Sequence, residues 1–274
     1  MSGLELLPVV ERASGDGRWP RIVWPLVVFL CGLVVWDLAV RLGDIPPYIL
    51  PGPLLVGQTL IADWPILSAS LGVTLLTALE GFIAAAIGGI ALALLFNRSK
   101  WLEYSLLPYA VVLQVTPVIA IAPLMLIYLP QQTAVIACAW IVAFFPVLAN
   151  TTLGLNSVDR NLAGLFQLNG ASRWQTLRYL QLPSALPYIL GGLRIAGGLS
   201  LIGAVAAEIA AGAAGSGSGL AYRITESSYR LNIPRMFAAL LLLSVAGIVI
   251  YMLLALASHL LLRRWHESAL RKEK

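Results

Sequence analysis

Apolar residues run through this chain in long blocks separated by short polar punctuation. Six windows emerge, roughly 22–40, 71–95, 106–129, 134–153, 186–211 and 238–262. Each is long enough for a bilayer-crossing helix, which needs about 20 apolar residues. Between Glu103 and Asp159 lie 55 residues without one Asp, Glu, Lys or Arg, room for two spans and a turn. Pro130 with Gln131 and Gln132 closes a hairpin inside that run. Residues 44–56 are apolar too, but Pro46, Pro47, Pro51 and Pro53 remove backbone donors, so this segment reads as an extended or turned connection. The pattern predicts an all-α membrane protein: an N-terminal segment 1–21, a six-helix domain 22–262 and a basic tail 263–274.

Composition sharpens this. The chain has 274 residues, 59% apolar and 11% charged, against about a quarter charged in a soluble domain, which excludes a soluble enzyme. With the N-terminus inside, the cytoplasmic segments collect thirteen Lys and Arg, among them Arg12, Arg98, Arg160, Arg173, Arg178 and Lys272. The other side collects four, Arg41, Arg223, Arg230 and Arg235, with Arg194 inside the fifth window. That bias puts both termini in the cytoplasm. It also accounts for the net charge of +5, and with no basic stripe of interleaved aromatics, nucleic acid is not an expected partner. No small-residue cleavage site follows the first apolar run, so a cleaved signal peptide is not expected.

Catalytic patterns are missing. There is no phosphate loop and no H-E-x-x-H, and the only histidines are His259 and His266. No catalytic residue, metal site or cofactor is expected in the chain. Ser200 and Ser244 have no base placed to activate them, which disfavours an intramembrane hydrolase. Cys31 and Cys138 sit in apolar runs and read as small packing residues.

The longest internal polar segment, 156–184, reads as two short helices. Asp159 caps the first, amphipathic through Leu162, Leu165, Phe166 and Leu168, and Asn169-Gly170 stops it. Ser172-Arg173-Trp174-Gln175 has the spacing of a capping box for the second, which Pro183 is expected to end. With Arg173, Trp174, Arg178 and Tyr179 exposed, the segment is either an interfacial amphipathic helix or a docking knob for a partner.

A resemblance decides between them. Gly170, nine residues, then Leu180-Gln181-Leu182-Pro183 is similar to the cytoplasmic signature of permease subunits of binding-protein-dependent ABC importers. Residues 170–209 resemble the nitrate, sulfonate and taurine branch of that family. Gly81-Phe82, Thr116-Pro117, Ala120-Ile121-Ala122-Pro123-Leu124 and Arg264-Trp265-His266-Glu267-Ser268 match as well. The resemblance implies the type I ABC importer permease fold in a bacterial inner membrane. It also implies a second copy of the permease, a pair of ATPase subunits that bind ATP and Mg, and a periplasmic or extracellular substrate-binding protein. By position, Gly170, Ala171, Ser172, Leu182 and Pro183 correspond to the family's coupling loop, which docks on the ATPase; Arg173 and Trp174 join them as exposed neighbours. One departure is plain: the family's Glu-Ala-Ala triplet is Gly164-Leu165-Phe166 here.

Three carboxylates fall within windows. Asp37 pairs with Arg41 four residues on. Glu80 and Glu208, at membrane depth, face the bundle interior or water and are candidates for the translocation path. Gln114, Thr116 and Pro117 put a polar kink in the third span, and Gln114 and Thr116 join the path candidates. Gly192, Ala196, Ser200, Ala204 and Glu208 form a small-residue stripe, as do Gly81, Ala85 and Gly89, suited to close helix packing; Ser200 and Glu208 are also path candidates. The branch implies nitrate, sulfonate or taurine as solute, while relatives carry pyrimidine precursors or flavins. Two deep carboxylates without deep bases disfavour an anion. The competing reading is an ion-coupled transporter or channel using Glu80 and Glu208.

Overall fold

The computed structural model describes residues 18–212 and 217–263, and all regular structure among them is helical. Residues 1–17 and 264–274, with the Arg264 to Ser268 match, lie outside the described residues. The helices are α1 (Arg18–Leu42), α2 (Pro53–Ala62), α3 (Trp64–Arg98), α4 (Lys100–Val115), α5 (Val118–Tyr128), α6 (Gln131–Leu155), α7 (Arg160–Leu168), α8 (Arg173–Thr176), α9 (Leu182–Ala211), α10 (Leu220–Tyr229) and α11 (Ile233–Leu262). Among the described residues, five helices are long and apolar enough to cross a membrane, or six if the bent pair α4 and α5 is one span.

Three boundaries differ from the sequence expectation. The connection at 44–56 ends sooner, because Pro53 is the first residue of α2, where a missing N–H costs nothing and the fixed φ suits a helix. The second span starts at Trp64, with Pro65 in its first turn; the polar Ser68 and Ser70 interrupted the apolar window without interrupting the helix. The expected kink in the third span is a break, with α4 and α5 at 100° to each other. Pro117 disfavours the helical region at the residue before it, and Thr116 is extended at φ −75, ψ 123, which ends α4 there.

The core is α3, α6 and α9, packed on one another. Apolar burial drives little association between helices in lipid, so close contact and small residues carry the packing. The stripe on α3 faces α6: a Cβ on Gly81 would collide with Ala139, and one on Gly89 with Val147. Gly192 on α9 likewise meets Asn150 and the Pro146 carbonyl of α6. Ala85, Ala139, Ala143, Ala196 and Ala204 are fully buried. Larger side chains point outwards, as lipid permits: Leu241, Val245, Ile248 and Met252 on α11 are exposed. No residue of α1 from 23 onwards is buried; Trp36 reaches Phe237 of α11, ring centroids 5.8 Å apart. The ion pair expected on α1 is present, Arg41 Nε to Asp37 at 2.7 Å.

Candidate functional site

The segment 156–184 is held by local bonds. Asp159 accepts from the Asn161 amide at 2.7 Å at the start of α7. Gly170, at φ +67, closes the helix: its N–H donates to Gln167 O and the Ala171 N–H to Phe166 O, both at 3.0 Å. This is a Schellman ending, and glycine takes its left-handed conformation without Cβ strain. Ser172 and Gln175 form the expected capping box, Ser172 N to Gln175 Oε1 at 2.7 Å and Gln175 N to Ser172 Oγ at 3.2 Å. Between these fixed ends, Leu162, Leu165, Leu168, Trp174 and Tyr179 are exposed. Leu165, Phe166, Gly170, Ala171, Gln175 and Tyr179 line a surface cavity of about 400 Å³.

The expected stop at Pro183 does not occur. The helix runs from Arg173 to Ala211, 39 residues, through a π turn at Leu177–Gln181. A proline interrupts a helix by lacking a donor and by crowding the carbonyl one turn back. Here the widened turn immediately before it relaxes the ladder, so the chain continues into the fifth span. Asn97 Nδ2 donates to Gln181 Oε1 at 2.8 Å and ties this turn to α3.

At the other end of the bundle the polar bonds are long-range. Glu208, on the last turn of α9, is 4% exposed. Its Oε2 accepts from Thr74 Oγ1 of α3 at 2.9 Å and from the Ala221 amide of α10 at 3.1 Å. Thr74 in turn accepts from the Leu220 amide at 2.8 Å, so two first-turn donors of α10 are satisfied by α3 and α9. Gly219 sits directly on the carboxylate, where any Cβ would overlap Glu208. Beside this node Arg235 of α11 makes a two-pronged pair with Asp63, Nε to Oδ2 2.6 Å and Nη2 to Oδ1 3.0 Å. Arg223 donates to Ser70 at 3.0 Å and to Glu226 at 2.9 Å. A cavity of about 370 Å³ opens on Glu208, lined also by Val73, Leu76, Thr77, Gln131 and Gln132.

The remaining path candidates are dispersed. Glu80 is partly exposed on α3 and makes no hydrogen bond or ion pair among the described residues. It follows Val73, Leu76 and Thr77 at helical spacing, on the same face as the cavity lining. Gln114 is exposed and Thr116 donates to Val112 O at 2.6 Å; both line a cavity of about 360 Å³ at the break between α4 and α5. Ser200 is fully buried and donates to Ala78 O at 2.5 Å, joining α9 to α3 inside the packing, away from any open surface. Among the described residues no three His, Cys, Asp or Glu group to hold a metal. Sequence reasoning missed Thr74, Gly219, Asp63 and Arg235. The acid and base that pair stand 172 residues apart, and the one local signal was Asn232, an N-cap that accepts from Arg235 N at 3.3 Å.

The comparisons bear on the whole architecture. The family model described as binding-protein-dependent transport system inner membrane component matches residues 81–271. The riboflavin transport system permease protein RibX of Chloroflexus aurantiacus is 35% identical, covering 96% of this chain and 99% of its own. The formylaminopyrimidine transport permease protein ThiX of Halalkalibacterium halodurans is 33% identical over 82% of this chain and 89% of its own. The nitrate import permease protein NrtB of a Synechocystis species is 30% identical over 84% and 86%. Among solved structures, an amino acid ABC transporter crystallised with histidines superposes with a TM-score of 0.62 at 20% identity, covering 73% of this chain and 96% of that one. That last likeness speaks for the fold alone.

Proposed function

The chain belongs to the binding-protein-dependent transport system inner membrane component family, and from that premise we propose that it forms half of a homodimeric path for a small uncharged heteroaromatic solute. It is a multi-span membrane permease subunit of a bacterial ABC importer and not an enzyme. An ATPase and a substrate-binding protein are the partners such a subunit works with.

In this reading the loop end faces the cytoplasm, as the thirteen bases on that side require, and both termini lie there with it. The capped segment 156–184 docks on one of two ATPase subunits, which bind ATP and Mg. Gly170, Ala171, Ser172, Arg173 and Trp174 form the tip, while Leu182 and Pro183 join it to the fifth span. Where the family has Glu-Ala-Ala, α7 presents exposed Leu162, Leu165 and Leu168, so this contact is apolar rather than ionic. Movement imposed on the knob reaches the spans through the unbroken helix from Arg173 to Ala211. Glu80, Gln114, Thr116 and Glu208 face the path, and Ser200 serves it by holding α9 on α3.

The observation that carries the solute class is charge. Among the described residues, the cavity beside Glu208 has a carboxylate and no Lys or Arg in its lining, and Glu80 follows on the same face. An anion entering there meets repulsion without compensation. The relatives named for riboflavin and formylaminopyrimidine transport support the same class. A thermal-shift screen of the cognate binding protein tests it: flavins or pyrimidines should stabilise that protein, and stabilisation by nitrate or taurine alone overturns the reading. Uptake by the purified permease without ATP would overturn the importer mechanism in favour of ion coupling through Glu80 and Glu208.

A further inference from the structure

The break between α4 and α5 leaves backbone acceptors at membrane depth. In an unbroken helix the carbonyls of Leu113, Gln114, Val115 and Thr116 would accept from the N–H groups one turn on, at residues 117–120. Pro117 has no N–H and Thr116 is extended. The Ala120 N–H turns instead to Pro117 O at 3.0 Å, where the Ile121 N–H joins it at 3.3 Å. Among the described residues, no backbone donor reaches any of the four carbonyls. Gln114 stands about 21 Å along α4 from Lys100, inside a hydrocarbon layer about 30 Å thick. Lipid cannot satisfy backbone polar groups, so at such depth they lie within protein or along a polar cavity. Here the second case holds. Gln114 and Val115 are exposed, Leu113 and Thr116 half-buried, and all four line the cavity of about 360 Å³ with Pro117 and Val118. Helix carbonyls point towards the C-terminal end, which directs this set at the break.

We propose that this cavity holds the solute partway across the membrane, with main-chain carbonyls of residues 113–116 accepting from an N–H on the edge of a heterocycle, an inference that rests on the importer reading above. The polar groups are one-sided. Thr116 spends its hydroxyl proton on Val112 O at 2.6 Å, so among the described residues the Gln114 amide is the one side-chain donor left in the lining. Acceptors exceed donors, which favours a solute edge that donates. No charged side chain of a described residue lines the space, and an ion entering it would lose hydration without a counter-charge. Opposite the break, Ile141, Val142 and Pro146 of α6 and Leu199 of α9 give apolar walls for the faces of a ring. The Gln114 amide then meets a ring carbonyl beside the N–H. Because the carbonyls belong to the main chain, the preference for a donor does not depend on any one side chain.

The test uses riboflavin, which has an imide N–H, and N3-methylriboflavin, which lacks it, with transport by the complete transporter in proteoliposomes and quenching of flavin fluorescence by the purified permease. The parent permease should bind riboflavin about tenfold more tightly than the methylated flavin, as for one hydrogen bond. Gln114→Leu should weaken both flavins alike, about tenfold, and keep the ratio between them. Val142→Trp fills the cavity from the α6 side and should abolish quenching and transport while the permease still assembles with its ATPase. Leu199→Phe does the same from α9 and serves if V142W does not assemble. Equal affinity of the parent for the two flavins overturns the site, and a ratio erased by Q114L overturns the role of the carbonyls. Quenching that survives an assembled V142W or L199F overturns the location. A parent that transports riboflavin without quenching it overturns the site and leaves the solute class standing. A parent that moves nitrate and neither flavin overturns the solute class and this site together.

Discussion

The two ends of the bundle are built from opposite kinds of bond. At the loop end the polar contacts that shape the tip of the knob span five residues or fewer, Asp159 to Asn161, Ser172 to Gln175, Ala171 to Phe166, and the long tie from Asn97 to Gln181 lies at its base. At the other end the partners are separated by 134 residues for Thr74 and Glu208 and by 172 for Asp63 and Arg235. Local bonds leave the side-chain surface free, so the knob keeps its shape while offering Leu162, Leu165, Leu168 and Trp174 to a partner. Long-range bonds consume the surface and tie four helices, α3, α9, α10 and α11, into one unit. Damage should therefore spread differently at the two ends: through coupling at the loop, and through the whole fold at the node.

The strongest way to break this contrast is Gly219→Val. Its side chain overlaps the Glu208 carboxylate, and overpacking at a closed site should cost about 3 kcal/mol, read as a lower melting temperature of the detergent-solubilised protein and loss of transport. Next, Asp63→Ala removes both bonds to Arg235, whose side chain is one-fifth exposed. Charged hydrogen bonds of this kind are worth about 2 kcal/mol, and melting should fall again. Gly170→Val forces a β-branched residue into the left-handed region, at about 1–2 kcal/mol of local strain. No atom lies within 4 Å of the added Cβ, so the melting temperature should hold while substrate-stimulated ATP hydrolysis falls. Ser172→Ala loses one cap, about 1 kcal/mol of local helix stability, with a smaller fall in coupled hydrolysis and no change in melting. If either loop variant melted the bundle, or if G219V left it intact, the contrast between the ends would be wrong.

The same contrast explains what could be read from the sequence. Asp159, Asn169-Gly170 and the Ser172–Gln175 box were legible because each motif carries its partner within three residues. The small-residue stripes on α3 and α9 were legible because helical spacing fixes a face: the α3 stripe and Gly192 of α9 meet α6, while Ser200 and Glu208 of the α9 stripe meet α3. Glu208 stood out as an ionisable group in an apolar window, but its partners did not, since nothing in the sequence brings Thr74 or Gly219 to it. The helix α10 escaped notice because Arg223, Thr225, Glu226, Ser227 and Ser228 dilute its apolar content; the pairs of Glu226 with Arg223 and Arg230 at helical spacing were its signal. Pro117 predicted a bend but not 100°, and Pro183 predicted a stop that the π turn removes. In each case the missing information was the cost the surrounding structure could absorb.

That π turn also sets a phase. Each residue of an α-helix turns the chain by about 100° and advances it by about 1.5 Å, so the helix from Arg173 to Ala211 is a rod of about 58 Å. One residue more or fewer between its ends re-clocks everything beyond. The wide turn at Leu177–Gln181 contributes such an extra residue. It fixes the azimuth of the knob relative to the Gly192 to Glu208 stripe, much as a keyed collar orients a handle on its shaft.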